Sequence, residues 1–206
     1  MKKKVGNKIG VLFSVVGKKG RKLDIGPGFF PIPEFESIDL VDHDYVTHVA
    51  DATDVLPFDD NVFEIVHASH ILEHVAWYDV EKVLKEWVRI LNIGGQLEIW
   101  VPDAYKICQA IIDYENEVPF NKYNDWFHLN PRKDFYLWAC GRIFGYGKNN
   151  KEHYTPHQWH YGLFTPKSLF HHLQRAGLTD ITRMNKDDIR GHDHGWINLG
   201  MKGTKL

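Results

Sequence analysis

Short apolar runs bounded by turn-forming residues recur along the first half of the chain, at "RKLDIG", "FESIDL", "YVTHVA", "VFEIVHA" and "GQLEIWVP". Each is about long enough to cross a sheet. Most are continuous rather than alternating, which predicts strands buried on both faces and hence a parallel sheet covered by helices. Between the last two runs, "DVEKVLKEWVRILNIGG" sets Val80, Val83, Leu84, Trp87, Val88 and Leu91 on one helical stripe, with Asp79 as N-cap and Gly94 beyond the end. A later helix is predicted in "FTPKSLFHHLQRAGL", with Thr165 as N-cap, Pro166 at the first helical position and Gly177 as its stop. "LTDITRM" and "GWINLGMKG" then read as two final strands that pair antiparallel. The elements predict an α/β, Rossmann-like, doubly wound sheet of seven strands with an antiparallel last strand.

Between Val101 and Thr165 the pattern loosens. Residues 104–164 are expected to form a helical or loop insertion after the fifth strand, a substrate-side segment or lid over the carboxyl edge where open α/β sheets bind ligands. With no internal repeat, residues 1–206 are expected to form a single domain, including a basic N-terminal segment over residues 1–21.

Composition narrows the function without naming it. A length of 206 residues is ample for one core, and 25 basic against 27 acidic residues give a net charge of −2, so no nucleic-acid partner is expected. The apolar run within the basic N-terminal segment is too short to span a bilayer and no small-residue cleavage site follows it. No membrane role and a cytoplasmic location are therefore expected. Cys108 and Cys140 lie far apart without CxxC spacing and are expected to be reduced core thiols. Nothing in the sequence fixes an oligomeric state.

The stretch "LDIGPGFFPIPEFESIDL" carries the first candidate chemistry. Gly26 and Gly28 follow an apolar strand, where the backbone can turn sharply and bring N–H groups close to a ligand. The third glycine of a dinucleotide fingerprint is replaced by Pro31, and Pro33 follows, so a pyrophosphate-binding helix is not expected. The interval from Gly28 to Glu36 is too short for a crossover helix, which predicts an irregular turn. Acidic residues stand at the strand ends instead: Asp24 before the glycines, Asp39 closing the second strand and Asp51 after the third. One carboxylate can accept both hydroxyls of a ribose, another can take an ammonium or adenine amino group, and neither welcomes a phosphate. The arrangement points to a cationic nucleoside, although Asp39 and Asp51 taken singly also fit plain turn residues.

The stretches "KLDIGPG", "SIDL", "VADATDVLPFDDNVFEIVHASHILEHV" and "VLKEWVRILNIGGQLEIWVPD" cover most of residues 22 to 103. Together they resemble the class I S-adenosylmethionine-dependent methyltransferases, in particular the small methyltransferase-11-like kind. The resemblance implies S-adenosyl-L-methionine as cofactor and S-adenosyl-L-homocysteine as product. It would place Asp24, Gly26 and Gly28 along the methionine part, Asp39 on the ribose hydroxyls, and Asp51 and Ala52 at the adenine. Ser69 and His70 would lie beside the methionine moiety and the transferred methyl. The chain departs from the family at Phe29, Phe30, Pro31, Ile32 and Pro33, where a third small residue and a helix usually follow the glycines.

Histidines supply the remaining candidates. In "SHILEHV", Glu73 and His74 follow the fourth strand; an imidazole there can take a proton at neutral pH or simply pack, and Glu73 suits an orienting acceptor. "HYTPHQWHYG" adds His153, His157, His160 and Tyr161. The His153 to His157 spacing suits zinc ligands on a helix, but Pro156 interrupts that helix and no HExxH pattern is present, so no metal is expected. His74, His157 and His160 are thus the candidate catalytic residues, for acceptor contact or proton removal, with a rigid aromatic loop as the plain alternative. Trp126, Phe127, Tyr136, Trp138 and Trp159 suit a wall for a carbohydrate ring and equally a core. The resemblance tilts the acceptor, a small molecule or glycan, toward a sugar hydroxyl. Two rivals stand beside this reading: a non-catalytic S-adenosylmethionine-binding or scaffold protein, and a nicotinamide-dependent oxidoreductase, which should have kept the third glycine.

Overall fold

The structure is a computed structural model that describes residues 20–118, 134–145 and 159–206. Seven strands, β1 (Lys22–Ile25), β2 (Glu36–Asp39), β3 (His48–Val49), β4 (Phe63–Ser69), β5 (Leu91–Pro102), β6 (Leu178–Arg183) and β7 (Asn198–Lys205), form one sheet in the order β3-β2-β1-β4-β5-β7-β6. The first five are parallel, and β7 lies antiparallel between β5 and β6. This is the doubly wound sheet with an antiparallel last strand that periodicity predicts.

The sheet has two unlike faces. Leu23, Ile25, Ile38, Val66, Leu97 and Ile99 join α1 (Val80–Arg89) and α4 (Pro166–Arg175) in one apolar core through Val83, Leu84, Trp87, Leu169 and Leu173. The opposite row is polar: register pairs Ser37 with Asp24, Asp24 with His67 and His67 with Glu98 across four neighbouring strands. All four are buried, so each needs a partner. His67 Nδ1 lies 2.8 Å from Asp24 Oδ1, the Ser37 hydroxyl donates to the Tyr45 carbonyl at 2.8 Å, and Arg190 grips Glu98 with two bonds of 2.6 and 3.0 Å. The expectation of strands apolar on both sides therefore holds for one face only.

α4 begins as its sequence predicts, with Thr165 and Ser168 forming a reciprocal cap around Pro166 and Gly177 at φ +97° beyond its end. α1 ends earlier than the stripe suggests. Leu91 continues the helical spacing from Trp87, yet it is the first residue of β5 and pairs with Phe63, and Gly94 turns within that strand at φ +78°. Asp79 occupies the N-cap position without a capping bond from its side chain. At the carboxyl end of β7, the Lys205 ammonium donates to the Arg89 and Leu91 carbonyls at 2.9 and 2.8 Å, tying the α1–β5 junction to the last strand.

The segment after β5 contains α2 (Ala104–Glu115), capped by the Asp103 carboxylate, and α3 (Phe135–Phe144), capped by Asp134. Ile107, Ala110, Phe135 and Trp138 pack with Ile197 into a second small cluster. Trp138, 0% exposed, is core and not a wall for a sugar, whereas Tyr136 is exposed. Trp126, Phe127, His153 and His157 lie outside the described residues. Cys108 is exposed and Cys140 half-buried, so neither is the core thiol expected from spacing; both face too little apolar surface. Among the described residues no helix is long and apolar enough to cross a membrane.

Candidate active site

A cavity of about 540 Å³ opens at the carboxyl ends of β1 and β2, lined among others by Gly26, Asp39, Asp51, Ala52, Ile71 and His74. That volume falls in the range of roughly 300–1,000 Å³ usual for small-molecule sites. Gly26 lines it at the start of the β1–β2 connection, residues 26–35, which contains no helix. Gly26 adopts φ +67° and its N–H donates to the Ile38 carbonyl at 2.9 Å. A Cβ on Gly26 would stand 2.1 Å from Ile71 Cδ1, so only glycine lets Ile71 close over the strand end.

Two loops present the acidic residues. Asp39 ends β2 and its Oδ1 accepts from the Val41 N–H at 3.0 Å; Asp51 Oδ1 accepts from the N–H and hydroxyl of Thr53 at 2.8 and 2.7 Å. Each carboxylate thus gives one oxygen to its own turn, and both residues line the cavity. α1 fixes the loop behind them. Trp87 Nε1 donates to the Ala52 carbonyl at 2.9 Å, and Glu86 Oε1 accepts from the Leu56 N–H at 2.7 Å. Arg89 reaches the Phe58 carbonyl at 2.9 Å, and its bond to Glu86 holds that carboxyl below its usual range.

The cavity wall carries four carboxylates, Asp39, Asp51, Asp54 and Asp79, against one ammonium, Lys82. Such a wall attracts a cation and repels a pyrophosphate. The glycine turn, the acidic wall and the apolar Ile25, Ile38 and Ile71 therefore suit S-adenosylmethionine and oppose a dinucleotide.

Residues 32–99 match the family model described as a methyltransferase domain, Methyltransf_11. With that match the sheet order and the acidic cavity fall into one frame. The fold is that of the class I S-adenosylmethionine-dependent methyltransferases. No curated protein matches the sequence. Similar solved structures include a SAM-dependent methyltransferase of Thermotoga maritima, at 17% identity over 93% of this chain and 84% of that chain, TM-score 0.52. One from Archaeoglobus fulgidus has 13% identity over 91% and 87%, TM-score 0.52. A Haloferax volcanii methyltransferase solved with the Trm112 methyltransferase activator has 15% identity over 92% and 84%, TM-score 0.50. At these identities the likeness is one of fold.

Within this fold the structure brings Gly26, Asp39, Asp51, Ala52 and His74 to the cavity wall. Asp24 is not on that wall: it is 3% exposed and paired with His67 on the polar face of the sheet. A residue next to Ile25 in a strand points to the opposite side of the sheet. Gly28, Ser69 and His70 also stand off the wall. Gly28 is held by a hydrogen bond from the Tyr45 hydroxyl to its carbonyl, and His70 is turned toward Asn198, with Nε2 2.9 Å from Asn198 Oδ1.

Beside the cavity, the turn Leu72–His74 meets the chain that returns after the insertion. The N–H groups of Tyr161 and Gly162 both donate to the Glu73 carbonyl, at 2.7 and 3.0 Å. His74 and His160 come to a ring-centroid distance of 5.0 Å at 72°. His74 Nδ1 lies 3.1 Å from the Trp159 carbonyl and His160 Nδ1 lies 3.2 Å from the Arg142 carbonyl. A carbonyl only accepts, so both rings carry their proton on Nδ1 and keep the Nε2 lone pair. Burial lowers the His160 pKa, which keeps that lone pair available at neutral pH. Sequence reasoning singled out both rings and Tyr161 but missed Ile71, Tyr78 and Lys82 on the wall, and it missed the β6–β7 loop entirely. That loop stacks His194 on His70 at 3.6 Å; its only signal is the "HDH" of "RGHDHGW".

Burial, then the charges of His70 and His192, pushes the His194 pKa down from 6.5 to about 3. The folded protein thus keeps His194 neutral while the unfolded chain titrates near 6.5. Between those values the unfolded state binds more protons, so stability falls as pH drops through the window and is fully present above it. Urea unfolding at pH 7, 5.5 and 4.5 is expected to show this decline, with a shallower slope for His194→Phe, which keeps a stacked ring. Equal slopes would place the acid sensitivity elsewhere.

Proposed function

We propose that the chain transfers a methyl group from S-adenosylmethionine to a hydroxyl of a small-molecule or glycan acceptor, with a sugar hydroxyl as the first candidate. The observation that carries this reading is the juxtaposition of an acidic nucleoside-sized cavity with the paired imidazoles of His74 and His160, His74 itself lying on the wall. In the proposed arrangement Asp39 accepts the ribose hydroxyls, Asp51 and Ala52 meet the adenine, and the turn at Gly26 receives the methionine part. When bound, S-adenosylmethionine supplies a methyl group already activated on a sulfonium. The chain's own work is to align the acceptor, exclude water and accept responsibility for one proton, and the His74–His160 pair is the group placed for that proton.

Support for a ring-shaped acceptor comes from the rim. Tyr78 and Tyr161 line the cavity, and Trp77 stands edge-on to Tyr78 at 5.3 Å with both rings largely exposed. Exposed aromatic faces of this kind stack on sugar rings. Residues 104–164 belong, in this reading, to the same domain as the acceptor side of the site.

Calorimetry with S-adenosylmethionine, S-adenosylhomocysteine and NAD is expected to show binding of the first two and none of the third. Tighter binding of NAD would overturn the cofactor reading. Mass spectrometry of incubations with sugars, phenols and amines then tests the acceptor, an added methyl on sugars being the expected product. Methylation of amines alone would remove the hydroxyl assignment, and cofactor binding without turnover across the panel would favour a scaffold.

A further inference from the structure

We propose that Glu73, His74 and His160 bind a divalent first-row transition-metal ion, zinc in the first instance, whose open position holds the acceptor hydroxyl beside the cofactor cavity. The proposal rests on the methyltransferase reading and replaces direct proton uptake by the His74–His160 pair: the two imidazoles serve as ligands and the acceptor proton leaves to solvent. It also departs from the sequence expectation of no metal, which considered His153 and His157 and not this trio.

Geometry comes first. One ligand atom from each of the three side chains lies within 4.8 Å of the other two. Zinc bonds of about 2.0–2.2 Å put tetrahedral ligand atoms roughly 3.3–3.5 Å apart, so small side-chain rotations close the site. Two imidazoles and one carboxylate form a donor set that selects a transition metal over magnesium or calcium.

An independent observation is the state of Glu73. Its carboxylate is 1% exposed, and neither oxygen has a hydrogen-bond partner. His70 Nδ1, 3.2 Å from Oε1, is its one charged neighbour at contact distance among the described residues, and that contact lowers the Glu73 pKa against the effect of burial. A buried carboxylate without hydrogen bonds is costly unless a cation completes it. The surrounding groups are arranged as ligands rather than as donors. The Trp159 and Arg142 carbonyls hold the Nδ1 protons of His74 and His160, the outer contact that fixes a metal-binding imidazole and leaves Nε2 to the ion. His70 is fixed in the opposite sense. Asn198 Nδ2 donates to Asp193 at 3.0 Å, so Asn198 Oδ1 faces His70 Nε2 and takes its proton.

Three protein ligands leave a position for water or substrate, and His74 and Tyr161 carry that position to the cavity wall. A hydroxyl bound there loses its proton to solvent at lower pH than in water. Its oxygen pair forms the new bond to the methyl carbon, the carbon–sulfur pair stays on sulfur as a neutral thioether, and the metal keeps its oxidation state.

The test uses the full chain stripped with a chelator and titrated with Co²⁺, read by visible absorption, with S-adenosylhomocysteine affinity measured in parallel with and without metal. The expected result is a single Co²⁺ equivalent that Zn²⁺ displaces, with affinity weakened about a hundredfold or more in Glu73→Gln and in His160→Ala. Circular dichroism checks that both variants fold. S-adenosylhomocysteine binding by the metal-free protein keeps the two readings apart. If that binding persists while Co²⁺ is not taken up, or is taken up equally by wild type and folded variants, the metal site is overturned and the cofactor assignment stands.

Discussion

Asp39→Ala is expected to weaken S-adenosylhomocysteine binding by about tenfold to a few hundredfold, while His160→Ala leaves that affinity nearly unchanged. Asp39 on the cavity wall is proposed to accept the ribose hydroxyls, and charge-assisted hydrogen bonds are worth roughly 1.5–3 kcal/mol each before water compensates. About 1.4 kcal/mol is one decade in affinity. His160 lies behind His74 and off the cavity wall, so its loss should appear in turnover, by about 10² or more, at saturating cofactor. Wild-type affinity in a folded Asp39→Ala protein would remove the ribose assignment. A weakened His160→Ala protein would move that imidazole to the cofactor side.

Trp87→Ala carries the largest expected effect on stability. The indole is 0% exposed in the main core and its Nε1 donates to the Ala52 carbonyl. Truncating a buried aromatic costs about 3–5 kcal/mol, a large part of a typical domain's stability. Trp87→Phe separates packing from the hydrogen bond: most of the ring is kept, but the Ala52 carbonyl loses its donor. Urea midpoints should fall steeply for the alanine variant and modestly for phenylalanine, whereas cofactor affinity should fall in both because the Asp51–Ala52 turn loses its anchor. Unchanged affinity in Trp87→Phe would show that the turn holds itself.

The sheet was legible because its strands are apolar runs with sharp ends, and the acidic residues were legible because Asp39 and Asp51 stand at two of those ends. The absent helix after β1 was also legible, since too few residues separate Gly28 from Glu36. The end of α1 was not: Leu91 suits a helix stripe and a buried strand equally, and only its pairing with Phe63 decides. Asp24 and Ile25 are adjacent letters on opposite faces, so a family position could not say which side Asp24 serves. The histidine assembly was illegible for a further reason. His70 meets Asn198 across 128 residues of sequence and His74 meets Trp159 across 85, and no local pattern encodes such meetings.

Ile25 and Ile38 belong at once to the main core and to the cavity wall. Occupying the cavity therefore braces the same side chains whose release is melting. By mass action a ligand at a hundred times its dissociation constant adds about 2.7 kcal/mol to the folded state. Melting temperature thus becomes an assay in its own right, able to sort a library of glycans, phenols and amines for occupants before any methylated product has been seen.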